Sequence, residues 1–133
     1  MRLPDRKSAM FLVLALCATG VSAAVAEEPA ESTERCIQLI RLDSIDILND
    51  RQILFKMRGG DLYLNEMPRR CPGLDHHSTI MYRTSLDALC DVDVITILES
   101  LGGGLRPTAS CGLGKFHPIT AERAEELRKA NKD

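Results

Sequence analysis

The sequence has little of what usually identifies an enzyme or a nucleic-acid-binding protein. No serine stands in a Gly-x-Ser-x-Gly elbow, and Gly102-Gly103-Gly104 does not lead into a helix with Lys and Ser or Thr, as a phosphate-binding loop does. Basic and acidic residues are nearly balanced, 17 against 19, and they are interleaved along the chain. Because a protein that neutralises phosphates needs a basic stripe, the sequence argues against nucleic acid as a partner. It predicts neither a catalytic constellation nor a cofactor.

The N-terminal 26 residues have the pattern of an export signal. A basic start is followed by an apolar run over residues 10–18 and by a small-residue stretch that ends in Ala24-Val25-Ala26. The basic residues are Arg2, Arg6 and Lys7. We therefore predict a signal peptide over residues 1–26, cleavage after Ala26, and a periplasmic or secreted protein.

Two alternatives to cleavage were weighed. Ser8 to Ala26 carries no charge, so this stretch could remain as a membrane anchor, but its second half is Thr, Gly, Ser and Ala and is only weakly apolar. Cys17 could be a lipid attachment site, but Leu16 stands where such a signal has a small residue. Cleavage is the interpretation that both observations favour, and it leaves no stable membrane span.

The chain that would remain is one small acidic domain. Cleavage removes three basic residues and Asp5, so 14 basic and 18 acidic residues remain, with a formal charge of −4. We divide this part into a flexible leader over residues 27–35, a β domain over 36–119 and a C-terminal helix or tail over 120–133. A chain this short buries a limited core, so it needs additional stabilisation.

Four cysteines outside the signal segment supply that stabilisation. Cys36, Cys71, Cys90 and Cys111 form an even set in a chain predicted to be exported, which favours a disulfide framework with three possible pairings. A zinc site is the alternative, but zinc ligands usually come in close Cys-x-x-Cys pairs, which are absent here.

Two alternating apolar runs around Gly59-Gly60 predict a β-hairpin. A two-residue loop would place Met57 opposite Leu62, Phe55 opposite Leu64 and Arg58 opposite Asp61. The preceding segment is best joined by a three-residue loop, Asn49-Asp50-Arg51, which opposes Ile47 to Ile53 and Ile45 to Phe55.

Further strand candidates complete a mostly β fold. We predict a small antiparallel barrel or sandwich of about six strands, stapled by disulfides, with a short C-terminal helix. Thr120 can cap that helix, which extends to Lys132 and buries little because its apolar stripe is short. The remaining strand candidates are 36–42, 79–83, 92–98 and 110–116, with a turn over 85–90.

The sheet order predicts the disulfide pairing. Cys71 and Cys90 bracket one compact excursion, whereas Cys36 and Cys111 lie in the first and last strands, which are neighbours if the sheet closes. We therefore predict the pairs Cys71–Cys90 and Cys36–Cys111.

Weak candidates for a metal site are Asp75, His76, His77 and His117. Adjacent histidines point to opposite faces of a strand but can converge in a loop, and His117 could add a third nitrogen. Two exposed loop residues are the simpler interpretation, because short metal motifs have many false positives. Asp91 and Asp93, two residues apart on a predicted strand, are interpreted as solvated edge residues rather than as acid–base groups.

A series of short segments resembles a family of small bacterial exported proteins with four cysteines and a domain of unknown function. The likeness runs from Cys36 to about Ile119, and it implies export and a cysteine framework but no activity. The segments that carry it are Cys36-Ile37, Asn49-Asp50-Arg51-Gln52-Ile53-Leu54-Phe55, Tyr63-Leu64-Asn65, Cys71-Pro72-Gly73-Leu74, Leu89-Cys90-Asp91-Val92-Asp93 and Cys111-Gly112-Leu113-Gly114-Lys115-Phe116.

Two functions from different classes remain open. The preferred one is an exported non-enzymatic module that binds a protein, an envelope component or a small ligand on a sheet face or edge. The alternative is a metal-binding or metal-dependent protein that uses His76 and His77.

Overall fold

The structure is a computed structural model that describes residues 32–84 and 86–132. The predicted signal peptide and most of the predicted leader lie outside the described residues. Cleavage after Ala26, and the alternatives involving Cys17, therefore stay predictions. Ser85 also lies outside this part of the chain.

The prediction of a mostly β, antiparallel fold with a short C-terminal helix is confirmed. Within the described residues, nine strands form three antiparallel sheets, in the orders β1-β6, β2-β3-β4-β9 and β5-β7-β8. The sheets do not close into a barrel. The elements are β1 Cys36–Gln38, a 3-10 turn Leu39–Arg41, β2 Leu42–Ile47, β3 Gln52–Met57, β4 Leu62–Glu66, β5 Thr79–Tyr82, β6 Ala88–Cys90, β7 Val94–Ser100, β8 Leu105–Gly112, β9 Phe116–Ile119 and α1 Ala121–Ala130.

Strand β3 is buried on both of its faces. Its side chains alternate, so Phe55 and its same-face neighbours enter the main core, where the rings of Phe55 and Phe116 meet edge to face at 5.3 Å. Leu54 points the other way, into a second cluster with Leu64 and the helix residues Ala124 and Leu127. The four-stranded sheet is therefore covered on one side by the remaining strands and on the other by α1.

The β2–β3 pairing is as predicted, but the register of the β3–β4 hairpin is shifted by one residue. Ile45 faces Phe55 across the three-residue loop. In the next hairpin Phe55 faces Tyr63 and Leu54 faces Leu64, because the loop also holds three residues, not two. Met57 closes this loop by donating to the Asp61 carbonyl at 2.8 Å. Because β3 has apolar side chains on both faces, the alternation of its residues is compatible with both the predicted and the observed register. The second face is part of the core because α1 covers it.

Three further sequence-based boundaries are wrong. The predicted strand 36–42 is interrupted by the 3-10 turn, and part of the predicted turn 85–90 forms strand β6. The predicted strand 110–116 is split between β8 and β9 by a three-residue connection. These corrections create the small β1–β6 sheet, which the sequence did not predict.

The helix is a packed element, not the solvated one expected. Thr120 caps it as predicted, since its hydroxyl accepts from the Arg123 N–H at 3.2 Å. Ala124 and Leu127 are buried against the sheet, and Arg128 donates to the Asp46 carboxylate of β2 at 2.7 Å. The short apolar stripe suffices because the sheet offers a complementary apolar face.

The disulfide pairing is corrected to Cys36–Cys90 and Cys71–Cys111. Cys36 and Cys90 are direct partners in the β1–β6 ladder, with Cα atoms 4.0 Å apart. Cys71, in the loop after β4, is joined to Cys111 in β8. The prediction failed because it assumed a closed sheet in which the first and last strands are neighbours.

A candidate functional site at the end of the helix

Asn49 organises the turn between β2 and β3. Its side-chain oxygen accepts from the backbone N–H groups of Arg51 and Gln52 at 2.8 and 2.9 Å. Its side-chain nitrogen donates to the Gln52 side chain at 3.0 Å and to Asn131 Oδ1 at 2.7 Å. A carboxamide has two acceptor positions and two donor protons, so the hydrogen-bonding capacity of Asn49 is fully used within the turn and the helix end.

The hydrogen bonds continue from Asn49 in both directions. Gln52 donates to the Glu66 carboxylate on β4 at 3.0 Å. Asn131, just after the helix, donates to the Leu127 carbonyl at 2.7 Å. A chain of four side chains therefore links the sheet to the carboxyl end of α1, where the Leu127 carbonyl also accepts from the Asn131 backbone N–H at 3.2 Å.

An open groove, here called the helix-end groove, follows this chain of side chains. Three adjoining cavities of about 510, 440 and 350 Å³ form it. The first two share Asn49 and Asp50, and the last two share Leu48, His76 and Asn131. Four parts of the chain contribute to its lining: the β2–β3 turn, the segment 66–70, the segment 74–78 and the end of the helix.

The groove carries charges of both signs. Arg70 lies 3.6 Å from Asp50 near one end, and Arg128 pairs with Asp46 at 2.7 Å near the other. The hydrogen bond that Arg128 donates to Asp46, together with the negative charge of that carboxylate, raises the pKa of Arg128 against the opposing effect of burial. Lys132 and His76 line the same end, and neither forms an ion pair within the described residues. The groove therefore offers amide groups, an ion pair near each end, and a lysine and a histidine available to a ligand.

The loop containing Asp75 and His76 forms one wall of the groove. The Asp75 carboxylate accepts from the His77 N–H at 2.8 Å and lies 3.2 Å from the Ser78 hydroxyl. The His77 hydrogen bond is the main reason that the pKa of Asp75 is lowered below its ordinary value. The rings of His76 and His77 lie side by side, with centroids 4.0 Å apart. Asp75 thus holds the loop, while both imidazoles remain exposed.

His117 lies apart from this loop. It sits in β9 opposite Leu64 and lines a separate cavity with Glu66, Thr120 and Arg123. In residues 32–84 and 86–132, no three His, Cys, Asp or Glu side chains are grouped so as to hold a metal ion. The structure therefore brings His76 and His77 together but does not add His117 to them.

The acidic pair Asp91 and Asp93 lies in the turn between β6 and β7, not on a strand face. Asp91 lies 3.4 Å from Arg35, and Asp93 accepts from the Cys90 N–H at 2.7 Å. One oxygen of Asp91 is buried with no hydrogen-bond partner among the described residues. Ser110 shares a hydrogen bond with Thr96 at 2.8 Å across β7 and β8. These groups have structural partners in the turn and the sheet.

Sequence reasoning missed the helix-end groove. Its central hydrogen bond joins Asn49 to Asn131 across 82 residues of chain, a distance at which no local pattern operates. The available signal was the Asn49-Asp50 turn, because Asn favours turns by binding its own backbone. That signal located the turn but not the helix end that packs on it.

Fold and site define a small antiparallel β protein held by two disulfides, with a helix across one sheet face and a polar groove at the helix end. The chain belongs to a family of unknown function, DUF6491, whose profile matches residues 6–133. No curated protein and no solved structure shows a significant match to it. Two disulfides indicate an oxidising environment. Among the described residues, no helix is both long and apolar enough to cross a membrane.

Proposed function

We propose that this protein is an exported, non-enzymatic module, periplasmic or secreted, that binds a polar ligand in the helix-end groove. The observation that carries the proposal is the groove itself, a continuous concave surface built from four parts of the chain around a rigid chain of hydrogen bonds. Concave, largely preformed surfaces are where proteins bind ligands.

Export is supported by two independent features. The N-terminal pattern is that of a signal peptide, and the domain carries two disulfides, which persist in oxidising compartments. The acidic charge of the domain further argues against a nucleic-acid partner.

The lining of the groove favours a ligand with both charges and amide-like hydrogen-bonding groups. Lys132 can pair with a ligand carboxylate, and Asp50 and Asp75 with an ammonium group. A peptide segment of a protein and an amino-sugar or peptide fragment of the cell envelope both have this chemistry. Binding is favoured over catalysis because Asp75 and Ser78 bond to each other and to the loop backbone.

Amide NMR spectra of the oxidised protein test this proposal. The probes are charged tripeptides and amino-sugar fragments added singly. We expect shifts that cluster at residues 48–52, 74–76 and 131–132. Lys132→Glu should weaken binding of carboxylate-bearing probes, whereas Arg106→Glu, an equal charge change on exposed β8, should leave it unchanged. Shifts confined to other surfaces, or equal losses in both variants, would contradict the groove as the site.

Metal binding is retained as a second candidate on one observation, the adjacent exposed rings of His76 and His77. Calorimetric titration with Zn²⁺ and Cu²⁺ tests it on the same oxidised protein. Binding that disappears in His76→Ala with His77→Ala but survives in His117→Ala would support a two-histidine site. Absence of heat with either ion would remove this candidate.

A further inference from the structure

The two disulfides differ in their access to solvent. Cys71 is fully buried in the main core and Cys111 is half-buried, whereas Cys36 is exposed and Cys90 is half-buried. The difference follows from the fold: Cys71 is enclosed by the core to which Cys111 in β8 also contributes, but the β1–β6 sheet has only two strands and one open face. Thiol–disulfide exchange requires a thiolate to reach a sulfur atom, so access separates the two bridges.

Exposed apolar side chains lie at both ends of the β1–β6 sheet, while Arg35 and Asp91, which neighbour the two cysteines in the chain, form an ion pair. Ile40 follows β1 and is 74% exposed, and Leu86 precedes β6 and is 72% exposed. The Leu39 N–H donates to the Asp87 carbonyl at 2.9 Å, which continues the β1–β6 pairing and brings this end of both segments together. Val92, 74% exposed, follows Cys90 at the opposite end. Half of the six exposed large apolar side chains in the described residues therefore border this one small sheet.

The β1–β6 sheet has anchors besides the disulfide. On its inner face Ile37 and Leu89 are buried in the main core. Backbone hydrogen bonds flank the bridge on both sides, including Asp91 N–H to the Arg35 carbonyl at 2.8 Å. Two cysteines freed by reduction would therefore stay opposite each other, ready to form the bridge again.

We propose that the Cys36–Cys90 disulfide is a thiol–disulfide exchange site, reduced and re-formed by a dithiol oxidoreductase that docks on the apolar surface around it. A thiolate of the oxidoreductase attacks the exposed Cys36 sulfur and forms a mixed disulfide, and Cys90 leaves as a thiolate that takes a proton from water. The second thiol of the oxidoreductase then attacks its own sulfur and releases Cys36. Overall, one dithiol is oxidised to a disulfide and one disulfide is reduced to two thiols. Re-formation is the same exchange in reverse, with the disulfide form of the oxidoreductase as the oxidant, which is itself reduced to the dithiol. The Cys71–Cys111 bridge, in which Cys71 is fully buried, remains intact.

Differential alkylation of the full chain tests the exchange site. Free thiols are first blocked, the native protein is treated with graded dithiothreitol, and new thiols are labelled with a second reagent and mapped by mass spectrometry. Cys36 and Cys90 should become labelled at least about tenfold faster than Cys71 and Cys111. Simultaneous labelling of all four, or earlier labelling of Cys71 and Cys111, would overturn the proposal.

The docking surface is tested with paired variants. Ile40→Ser with Leu86→Ser should slow reduction by a dithiol protein of the thioredoxin class several-fold, but should not change reduction by dithiothreitol. Leu101→Ser with Leu105→Ser, an exposed apolar pair on the β7–β8 hairpin, is the control and should change neither rate. Equal slowing with both reductants, or in both variants, would contradict docking at the β1–β6 sheet.

Discussion

At the scale of single residues, one buried amide joins two parts of the fold. Asn65 is fully buried in β4, and its side chain both accepts from the Gly114 N–H at 2.9 Å and donates to the Gly114 carbonyl at 2.7 Å. A Cβ atom at Gly114 would overlap the Glu66 carbonyl oxygen. Asn65 and Gly114 therefore fix the connection between β8 and β9 against β4, and each requires the other.

We predict that Asn65→Ala lowers the free energy of unfolding by about 2–4 kcal/mol, because two buried hydrogen bonds are lost and their backbone partners stay buried. Gly114→Ala should be comparably destabilising, since the backbone must move to admit the methyl group. Gly112→Ala is the control, because a Cβ atom there meets nothing within 4 Å. Urea unfolding of the three variants measures the effect, and an unchanged midpoint for Asn65→Ala would contradict this role.

We predict that the structure of the loop held by Asp75 depends on pH. Its pKa in the folded protein is lowered below the ordinary 3.8, mainly by the hydrogen bond from the His77 N–H. The ionised Asp75 carboxylate therefore contributes fully to the stability of the fold above that ordinary value. This contribution is lost as the pH falls through the lower pKa of the folded state. An NMR titration of the Asp75 carboxyl carbon and the His77 amide should show one shared midpoint below 3.8. A midpoint at or above that value would show that the hydrogen bond is absent.

At the scale of elements, the helix gains its stability from packing. A ten-residue helix is marginal alone in water, and α1 is held by Ala124 and Leu127 against the sheet and by Arg128 and Asn131 at its end. The same contacts build the helix-end groove. The groove therefore depends on the helix staying docked.

Leu127→Ala should cost about 2–3 kcal/mol of unfolding free energy, since a buried leucine is truncated in a small cluster. The same substitution should also weaken the binding of a ligand in the helix-end groove. Leu101→Ala, at a leucine that is half exposed, is the matched control and should change stability by a few tenths of a kcal/mol. Equal effects of the two substitutions on the thermal unfolding midpoint would show that the helix is not packed as described.

The β3–β4 loop depends on its glycines. Gly59 and Gly60 have φ angles of 101° and 100°, which side chains rarely adopt, and a Cβ atom at either meets no neighbour. Gly59→Ala and Gly60→Ala should therefore each cost about 1 kcal/mol through backbone strain alone. Gly104→Ala, at a glycine without positive φ, should be close to neutral in the same thermal unfolding measurement.

Local sequence patterns predicted the individual strands, loops and helix better than they predicted which elements lie next to each other. The three-residue β2–β3 loop and the Thr120 cap depend on residues close in sequence, and both are confirmed. The β3–β4 register failed because Leu54 and Phe55 are both buried, so alternation did not choose between faces. The second face of β3 is buried because α1 packs on it, and this packing could not be predicted from the local pattern.

At the scale of the whole molecule, the sequence could not predict the contacts that join distant segments. Cys36 and Cys90 are separated by 54 positions and Cys71 and Cys111 by 40, and their pairing follows from sheet order, which local patterns leave open. The helix-end groove arises in the same way, from Asn49 and Asn131. Each disulfide should contribute about 4 kcal/mol on the chain-entropy model, so the framework is a large share of the stability of so small a domain.

The central proposal is that this protein is an exported domain held by two specific disulfides. Non-reducing peptide mapping of the protein recovered from the exported fraction of its cells, combined with N-terminal mass analysis, tests this in one measurement. We predict a chain that starts at Glu27, with the Cys36 peptide linked to the Cys90 peptide and the Cys71 peptide linked to the Cys111 peptide. Recovery of the chain with residues 1–26 in the membrane fraction, a Cys36–Cys111 linkage, or four free thiols in exported material would contradict it.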